Sequence, residues 1–196
     1  MTNTEEKILS AAEMIFTDKG FAETRMRDIA DKAGVNLALI NYHFGSKDNL
    51  FAKVMLKYLT IFKDRIMSVM HDESTDLRTK IALISEGYCT MLREHPTLPT
   101  FIVNELERAR GIFETPGFPF ECSSLKRQLK EEGLSEAQAV QYCINMFSML
   151  IGTALLRPFA VTVLRIEEGP FDSILENRCN SLPQVLMSMI EIYKSI

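Results

Sequence analysis

The side chains best able to hold a metal or act as nucleophiles are three histidines, His43, His71 and His95, and four cysteines, Cys89, Cys122, Cys143 and Cys179. Their spacing serves neither purpose. No two histidines stand a helical turn apart, no C-x-x-C pair occurs and no glycine-rich phosphate loop is present, so the patterns of metal sets, triads and nucleotide cradles are missing. The expectation is a chain without catalytic residues, metal or cofactor. The scattered cysteines read as reduced, buried thiols and not as a disulfide frame. The chemistry that does have support lies between Thr24 and Lys47. There Arg25, Arg27, Lys32 and Lys47 face only Asp28 and Asp31, a local excess of 2 positive charges in a chain of net charge -4. Arginine, lysine, tyrosine and histidine donors gathered in one short segment suit phosphate oxygens, and the placement of cations, not their sum, decides such contacts.

Those donors need a scaffold, and helical periodicity runs through almost the whole sequence without a sustained alternation that would mark a strand. The fold class expected is all-α. Thr4 caps a first helix with Glu5 and Glu6 in its first turn, and Gly20 stops it; Ile8, Ala12, Ile15 and Phe16 form its apolar stripe. A short second helix starts near Thr24 and meets Gly34 after its last turn. Asn36 then caps a third helix reaching about His43. Two short helices joined by a glycine-containing turn have the form of a helix-turn-helix unit. Ile40 and Phe44, one turn apart, pin the third helix to the first two and leave Leu37, Ala38, Asn41, Tyr42 and His43 facing outward. Such a face suits a major groove: Tyr42 and His43 donate to phosphates, Asn41 reads a base edge, and Leu37, Ala38 or Leu39 touches thymine methyls. Lys47 stands in the first turn of the next helix, capped by Ser46, where it meets a phosphate beside that helix's amides.

The runs Ile29-Ala30-Asp31-Lys32-Ala33-Gly34-Val35 and Tyr42-His43-Phe44-Gly45-Ser46-Lys47-Asp48-Asn49-Leu50, with Ala11-Ala12, Phe16, Gly20-Phe21 and Thr24 upstream, resemble the DNA-binding signature of TetR-type transcriptional regulators. The resemblance covers about the first quarter of the chain. It implies backbone contacts by Arg25, Arg27, Tyr42, His43 and Lys47 and sequence choice by residues 36–41, including Asn36 and Asn41. Family members often carry small polar residues or glycine early in the reading helix and a tyrosine two positions before the histidine. Here Leu37, Ala38, Leu39 and Asn41 stand instead, so the operator sequence does not carry over.

The remaining sequence reads as a larger helical body. Ser46 opens a long helix carrying Leu50, Phe51, Val54, Tyr58, Ile61, Phe62, Ile66 and Val69, which would extend on the order of 35 Å. Thr75-Asp76 opens a helix to Glu94, another runs from about Pro99 to Arg108, and Gly111 to Phe120 reads as a loop. A helix from Ser124 to Glu131 ends at Gly133. Ser135 with Gln138 forms a capping box for a very apolar helix to Arg157, and Ser181 caps the last helix with Pro183 in its first turn. Residues 1–47 are thus expected to form a three-helix, helix-turn-helix DNA-binding domain and residues 48–196 a helical ligand-binding and dimerisation domain. Leu182, Leu186, Met189 and Tyr193 recur at helical spacing on the last helix, and Val140, Ile144, Phe147, Ile151 and Leu155 on the one before. This resembles the family's four-helix dimer interface, with Phe147, Ile151, Leu155, Leu182, Leu186, Met189 and Tyr193 as its residues. The resemblance also implies a cavity for a small apolar effector, for which Phe62, Ile66, Tyr88, Met91, Phe101, Phe113, Met146 and Phe147 are the lining candidates, although each taken singly reads as an ordinary core residue at helical spacing; Asn104 and Glu105 either orient a polar group there or face water.

Composition agrees with a globular chain, at 46% hydrophobic and 24% charged residues. The opening residues do not form a secretory signal, and the most apolar segment, Cys143 to Leu156, is too short to span a bilayer. A cytoplasmic protein is expected, with partners a double-stranded DNA operator, a small-molecule effector and a second copy of the chain, and no membrane. The resemblance implies a repressor bound to a palindromic operator and released by its effector. A helical small-molecule carrier without DNA binding is the alternative. The intact Tyr42-His43-Phe44 run and Lys47 count against it, and an all-α enzyme would need polar groups clustered in the apolar body.

Overall fold

The computed structural model describes residues 3–113, 123–166 and 168–196. Twelve α-helices follow one another among the described residues, without a strand: α1 (Asn3–Glu23), α2 (Met26–Ala33), α3 (Leu37–Phe44), α4 (Lys47–Phe62), α5 (Ser68–His71), α6 (Leu77–Glu94), α7 (Leu98–Asn104), α8 (Leu106–Phe113), α9 (Ser123–Glu131), α10 (Glu136–Leu155), α11 (Arg157–Thr162) and α12 (Glu168–Lys194). A π-helical turn, Lys63–Met67, separates α4 from α5. Gly111 to Phe113 close α8, so the expected loop begins later; its remainder, 114–120, lies outside the described residues.

The chain divides into two compact units, residues 1–61 with 100–119 and residues 62–99 with 120–196. In the first unit, Ile8, Ala12, Phe16, Ile29, Ile40, Leu50 and Val54 are fully buried, which packs α1, α2, α3 and α4 around one core. Phe51 anchors an aromatic cluster there, edge-on to Phe16 at 5.2 Å and to Phe101 at 5.9 Å between ring centroids. Pairs of this geometry add about 1 kcal/mol beyond area burial. Phe101, expected to line an effector cavity, is thus a core residue of the first unit.

The second unit is built on α6, α9, α10 and α12. Asp76 caps α6 by accepting the Thr79 amide at 3.1 Å, and the capping box of α10 is complete: Gln138 N–H donates to Ser135 Oγ at 3.3 Å and Ser135 N–H to Gln138 Oε1 at 2.8 Å. The Lys80 ammonium is wholly buried and donates to the Asp72 carbonyl and to Ser124 Oγ, tying α6 to α9 and to the turn before α6. Tyr142 of α10 donates to the Leu186 carbonyl of α12 at 3.2 Å. The last helix does not begin at Ser181. It begins at Glu168, and Pro183 lies in its interior. Ser181 Oγ bonds back to the Arg178 carbonyl at 3.1 Å instead of capping, while Pro183 leaves the carbonyl four residues earlier without its helical donor.

Cysteine pairing departs from expectation. Cys89 on α6 and Cys179 on α12 form a disulfide, their Cα atoms 6.0 Å apart across a sequence separation of 90. The expectation of reduced thiols is corrected for these two; Cys143 is a buried thiol and Cys122 lies outside the described residues.

Helix α6 also meets the π-helical turn closely. A Cβ on Gly87 would stand 2.8 Å from the Arg65 carbonyl oxygen, a backbone atom that has no rotamer to escape by. Alanine normally favours a helix interior over glycine by about 1 kcal/mol, but overlap of this kind costs about 1–3 kcal/mol. Gly87→Ala is therefore expected to lower the thermal midpoint by a few degrees, roughly 2–4 °C per kcal/mol at this chain length. A raised midpoint in a calorimetric scan would show that the approach is looser.

Candidate nucleic-acid interface

The turn between α2 and α3 is fixed by its own backbone. Gly34 takes φ 67°, ψ 35°, a left-handed conformation that residues bearing a Cβ avoid. Its amide donates to the Asp31 carbonyl at 3.3 Å and the Val35 amide to the Ala30 carbonyl at 3.0 Å, the pair of bonds that closes a Schellman turn. Two residues on, the Asn36 side chain accepts the Leu39 amide at 2.8 Å and starts α3. Ile40 of α3 is fully buried, and Phe44 is half-buried. The orientation of α3 follows from these anchors.

Of the expected DNA-facing residues, Arg25, Arg27, Asn36, Ala38, Asn41 and Tyr42 are exposed, and Leu37, Leu39, His43 and Lys47 are half-buried. Tyr42 is 82% exposed. A phenol left this open on a helix whose other side is core has little to gain from its own fold, and it stands ready to donate to an external acceptor. His43 is less available than expected. Its side chain is only 14% exposed and its Nδ1 lies 3.4 Å from Glu5 Oε1, so α1 holds the end of α3 through it.

Lys47 is held above Phe21, its Nζ 4.3 Å from the ring centroid. Arg108 stacks on the same ring with its guanidinium carbon 3.7 Å from the centroid. Glu105 accepts the Phe21 amide at 2.8 Å and lies 3.7 Å from Arg108, which also approaches Asp48 at 3.5 Å. Cation–π contacts of this type contribute about 0.5–1 kcal/mol each when exposed, and here they fix where the Lys47 charge stands. Glu105, expected either to orient an effector's polar group or to face water, serves this cluster instead, and the sequence offers no local signal for the Arg108 stack on Phe21 or for the Glu5 contact with His43. Asn104 is exposed. Deeper in the unit, Tyr58 donates to Glu13 Oε1 at 2.8 Å, and burial, that bond and the carboxylate's charge together push its phenol well above the usual range. The bond ties α4 to α1.

The sequence profile described as "Bacterial regulatory proteins, tetR family" matches residues 8–54, the span that carries this geometry. The chain is 33% identical over 162 residues to the "Probable HTH-type transcriptional regulator YttP" of Bacillus subtilis, covering 80% of this chain and 77% of that one. The chain belongs to the TetR family of transcriptional regulators. The "HTH-type transcriptional repressor KstR2" of Mycolicibacterium smegmatis is 25% identical over 125 residues, covering 64% of this chain and 59% of that protein. The TetR-family fold extends beyond the profile: PfmR of Thermus thermophilus superposes with TM-score 0.66 at 19% identity, covering 90% of this chain and 97% of that one. A TetR transcriptional regulator from Legionella pneumophila gives TM-score 0.63 at 20% identity, covering 94% and 98%.

In the second unit of this TetR-family protein, the residues expected to line an effector cavity are core. Ile66, Tyr88, Met91 and Met146 are buried, Phe62 and Phe147 are half-buried, and the Phe113 side chain lies outside the described residues. A cavity of about 430 Å³ opens elsewhere, between the end of α6, the junction of α10 and α11, and α12, lined by Cys89, Leu92, Arg93, Pro96, Ala154, Arg157, Leu175, Glu176 and Cys179. None of the expected lining residues whose side chains are described borders it. The apolar face of α12 also differs from expectation: Leu182, Leu186 and Met189 are buried within the subunit, and Tyr193 accepts the Asn145 amide at 2.7 Å. Among the described residues, the exposed large apolar side chains of these helices are Val140, Ile144 and Leu155 on α10 and Ile174, Val185 and Ile192 on α12, with Ile151 half-buried.

Proposed function

We propose that this TetR-family chain is a repressor that binds a palindromic operator as a homodimer and leaves it when a small, largely apolar effector binds the second unit. The observation that carries the reading is Tyr42, fully presented on a helix whose opposite side, cap and preceding turn are all fixed. Arg25, Arg27, Tyr42 and Lys47 contact phosphates, with His43 set back against Glu5, and Asn36, Leu37, Ala38, Leu39 and Asn41 read base edges and methyl groups. The DNA partner places the protein in the cytoplasm.

Dimerisation uses the apolar stripe that a single subunit leaves uncovered, Ile144, Ile151 and Leu155 with Val140 on α10, and Ile174, Val185 and Ile192 on α12. Leucine and isoleucine side chains so exposed on adjacent long helices are what an obligate partner covers. Two reading helices about 34 Å apart then fit successive major grooves. An effector held in the cavity beside α6 and α12, whose volume suits a small molecule, shifts the dimer toward another separation by its differential affinity for the two states.

A gel-shift with DNA from upstream of the protein's own gene tests this. The expected result is a discrete complex whose affinity falls steeply with salt, log K changing by roughly -0.9 per phosphate contacted for each decade of salt. A flat salt response would contradict the phosphate assignments.

A further inference from the structure

The cavity of the second unit has an unusual wall. Both sulfurs of the Cys89–Cys179 disulfide belong to residues that line it, together with Arg93, Arg157 and Glu176 among the described residues. Cys89 is buried, 4% exposed, whereas Cys179 is only half-buried, so the residue on α12 is the more open of the two. Arg93 lines the same wall, and its guanidinium suits a carboxylate of an incoming small molecule. A disulfide in a protein that works on DNA sits in a compartment where thiols are kept reduced, and bonds of this kind there are transient.

We propose that Cys89 and Cys179 form a reversible thiol–disulfide switch, operated through this cavity by an anionic low-molecular-weight thiol and its disulfide, of the glutathione class. The consequence for DNA rests on the repressor reading above; the sulfur chemistry does not. In the reducing direction a reagent thiolate attacks Cys179 Sγ. A bond forms between the reagent sulfur and Cys179 as the Cys89–Cys179 bond breaks, and the electron pair leaves on Cys89 Sγ, which takes up a proton. A second reagent thiolate attacks the reagent sulfur of this mixed disulfide and releases Cys179, which is protonated in turn. The protein disulfide is reduced to two thiols and two reagent thiols are oxidised to one reagent disulfide. The reverse steps close the bond. Opening it unfastens α6 from α12, the helix that carries Ile174, Val185 and Ile192.

The test uses the full chain under native conditions, with alkylation and mass spectrometry after exposure to reduced glutathione or to neutral 2-mercaptoethanol. Both thiols are expected to open the bond without denaturant, and oxidised glutathione is expected to leave a mixed disulfide on Cys179 in Cys89→Ser. Arg93→Gln should slow the glutathione reaction by about fivefold relative to the 2-mercaptoethanol reaction, because both attack as thiolates but only glutathione carries carboxylates for the guanidinium to pair. A bond inert to both thiols, or equal slowing of the two reagents, would overturn the proposal. Upstream-DNA affinity of the oxidised and reduced forms should differ by about fivefold or more, the low end of ordinary coupling between sites; identical affinities would overturn the switch. Thiol chemistry that proceeds as described in a chain that binds no DNA in either state would support the exchange site and fault only the repressor reading.

Discussion

Tyr42→Ala combined with Lys47→Ala is expected to weaken operator binding by roughly 10,000-fold, four phosphate-directed bonds in the symmetric dimer, two per subunit, at about 1.5 kcal/mol each. The loss should leave the thermal midpoint nearly unchanged. Tyr42 is 82% exposed and supports no core side chain, and Lys47 touches the ring of Phe21 at its surface without filling a cavity. The salt dependence should also flatten, its slope falling by about 1 for each phosphate contact removed. Isothermal titration at two salt concentrations reads both effects. His43 is a poorer choice for this experiment because its ring faces Glu5 at 3.4 Å, and replacing it disturbs the seam between α1 and α3 as well as any DNA contact. Full affinity retained by the Tyr42/Lys47 variant would remove α3 from the interface.

Ile144→Glu with Ile192→Glu is expected to convert the dimer to monomers at micromolar concentration and to abolish operator binding. Ile144 and Ile192 are 59% and 57% exposed in the isolated subunit, so each glutamate is soluble in the monomer and costs little stability there. In a dimer each would bury an unpaired carboxylate, at about 3 kcal/mol or more per site, and a two-fold interface doubles the number of such sites. The comparison variant is Leu186→Ala. Leu186 is fully buried inside the subunit, so this change should lower stability by about 2–5 kcal/mol before it touches association. Sedimentation velocity distinguishes the two outcomes. A dimer that survives the paired glutamates would place the interface on another face.

The parts of the structure legible in the sequence are those written in local chemistry. Asn36, Ser46, Asp76 and the Ser135–Gln138 pair cap helices because a short polar side chain reaches an amide three residues away, and all four do so. Gly34 marks its turn for a similar reason. Arrangement across sequence distance was not legible. Periodicity shows that α12 has an apolar stripe, but it does not say whether that stripe faces its own subunit or another. Leu182, Leu186 and Met189 turn inward, leaving Val185 and Ile192, three residues beyond Leu182 and Met189, outside. Ser181 and Pro183 resemble a helix start, yet packing of α12 against α6 and α10 carries the helix through them. Cys89 and Cys179 carry no spacing signal because their closeness is created by that same packing. Glu105 is placed by the fold beside the Phe21 amide, 84 residues away in sequence, a role that no local pattern announces.

The central claim is that the exposed face of α3, aimed by Gly34, Asn36 and Ile40, reads duplex DNA from a symmetric pair of subunits. Hydroxyl-radical footprinting on the DNA upstream of the gene tests it most directly. Two related protected patches are expected, their centres about one helical turn or 10 base pairs apart, and both should vanish with Tyr42→Ala/Lys47→Ala. Protection that persists in that variant, or a single patch without a symmetric companion, would contradict it.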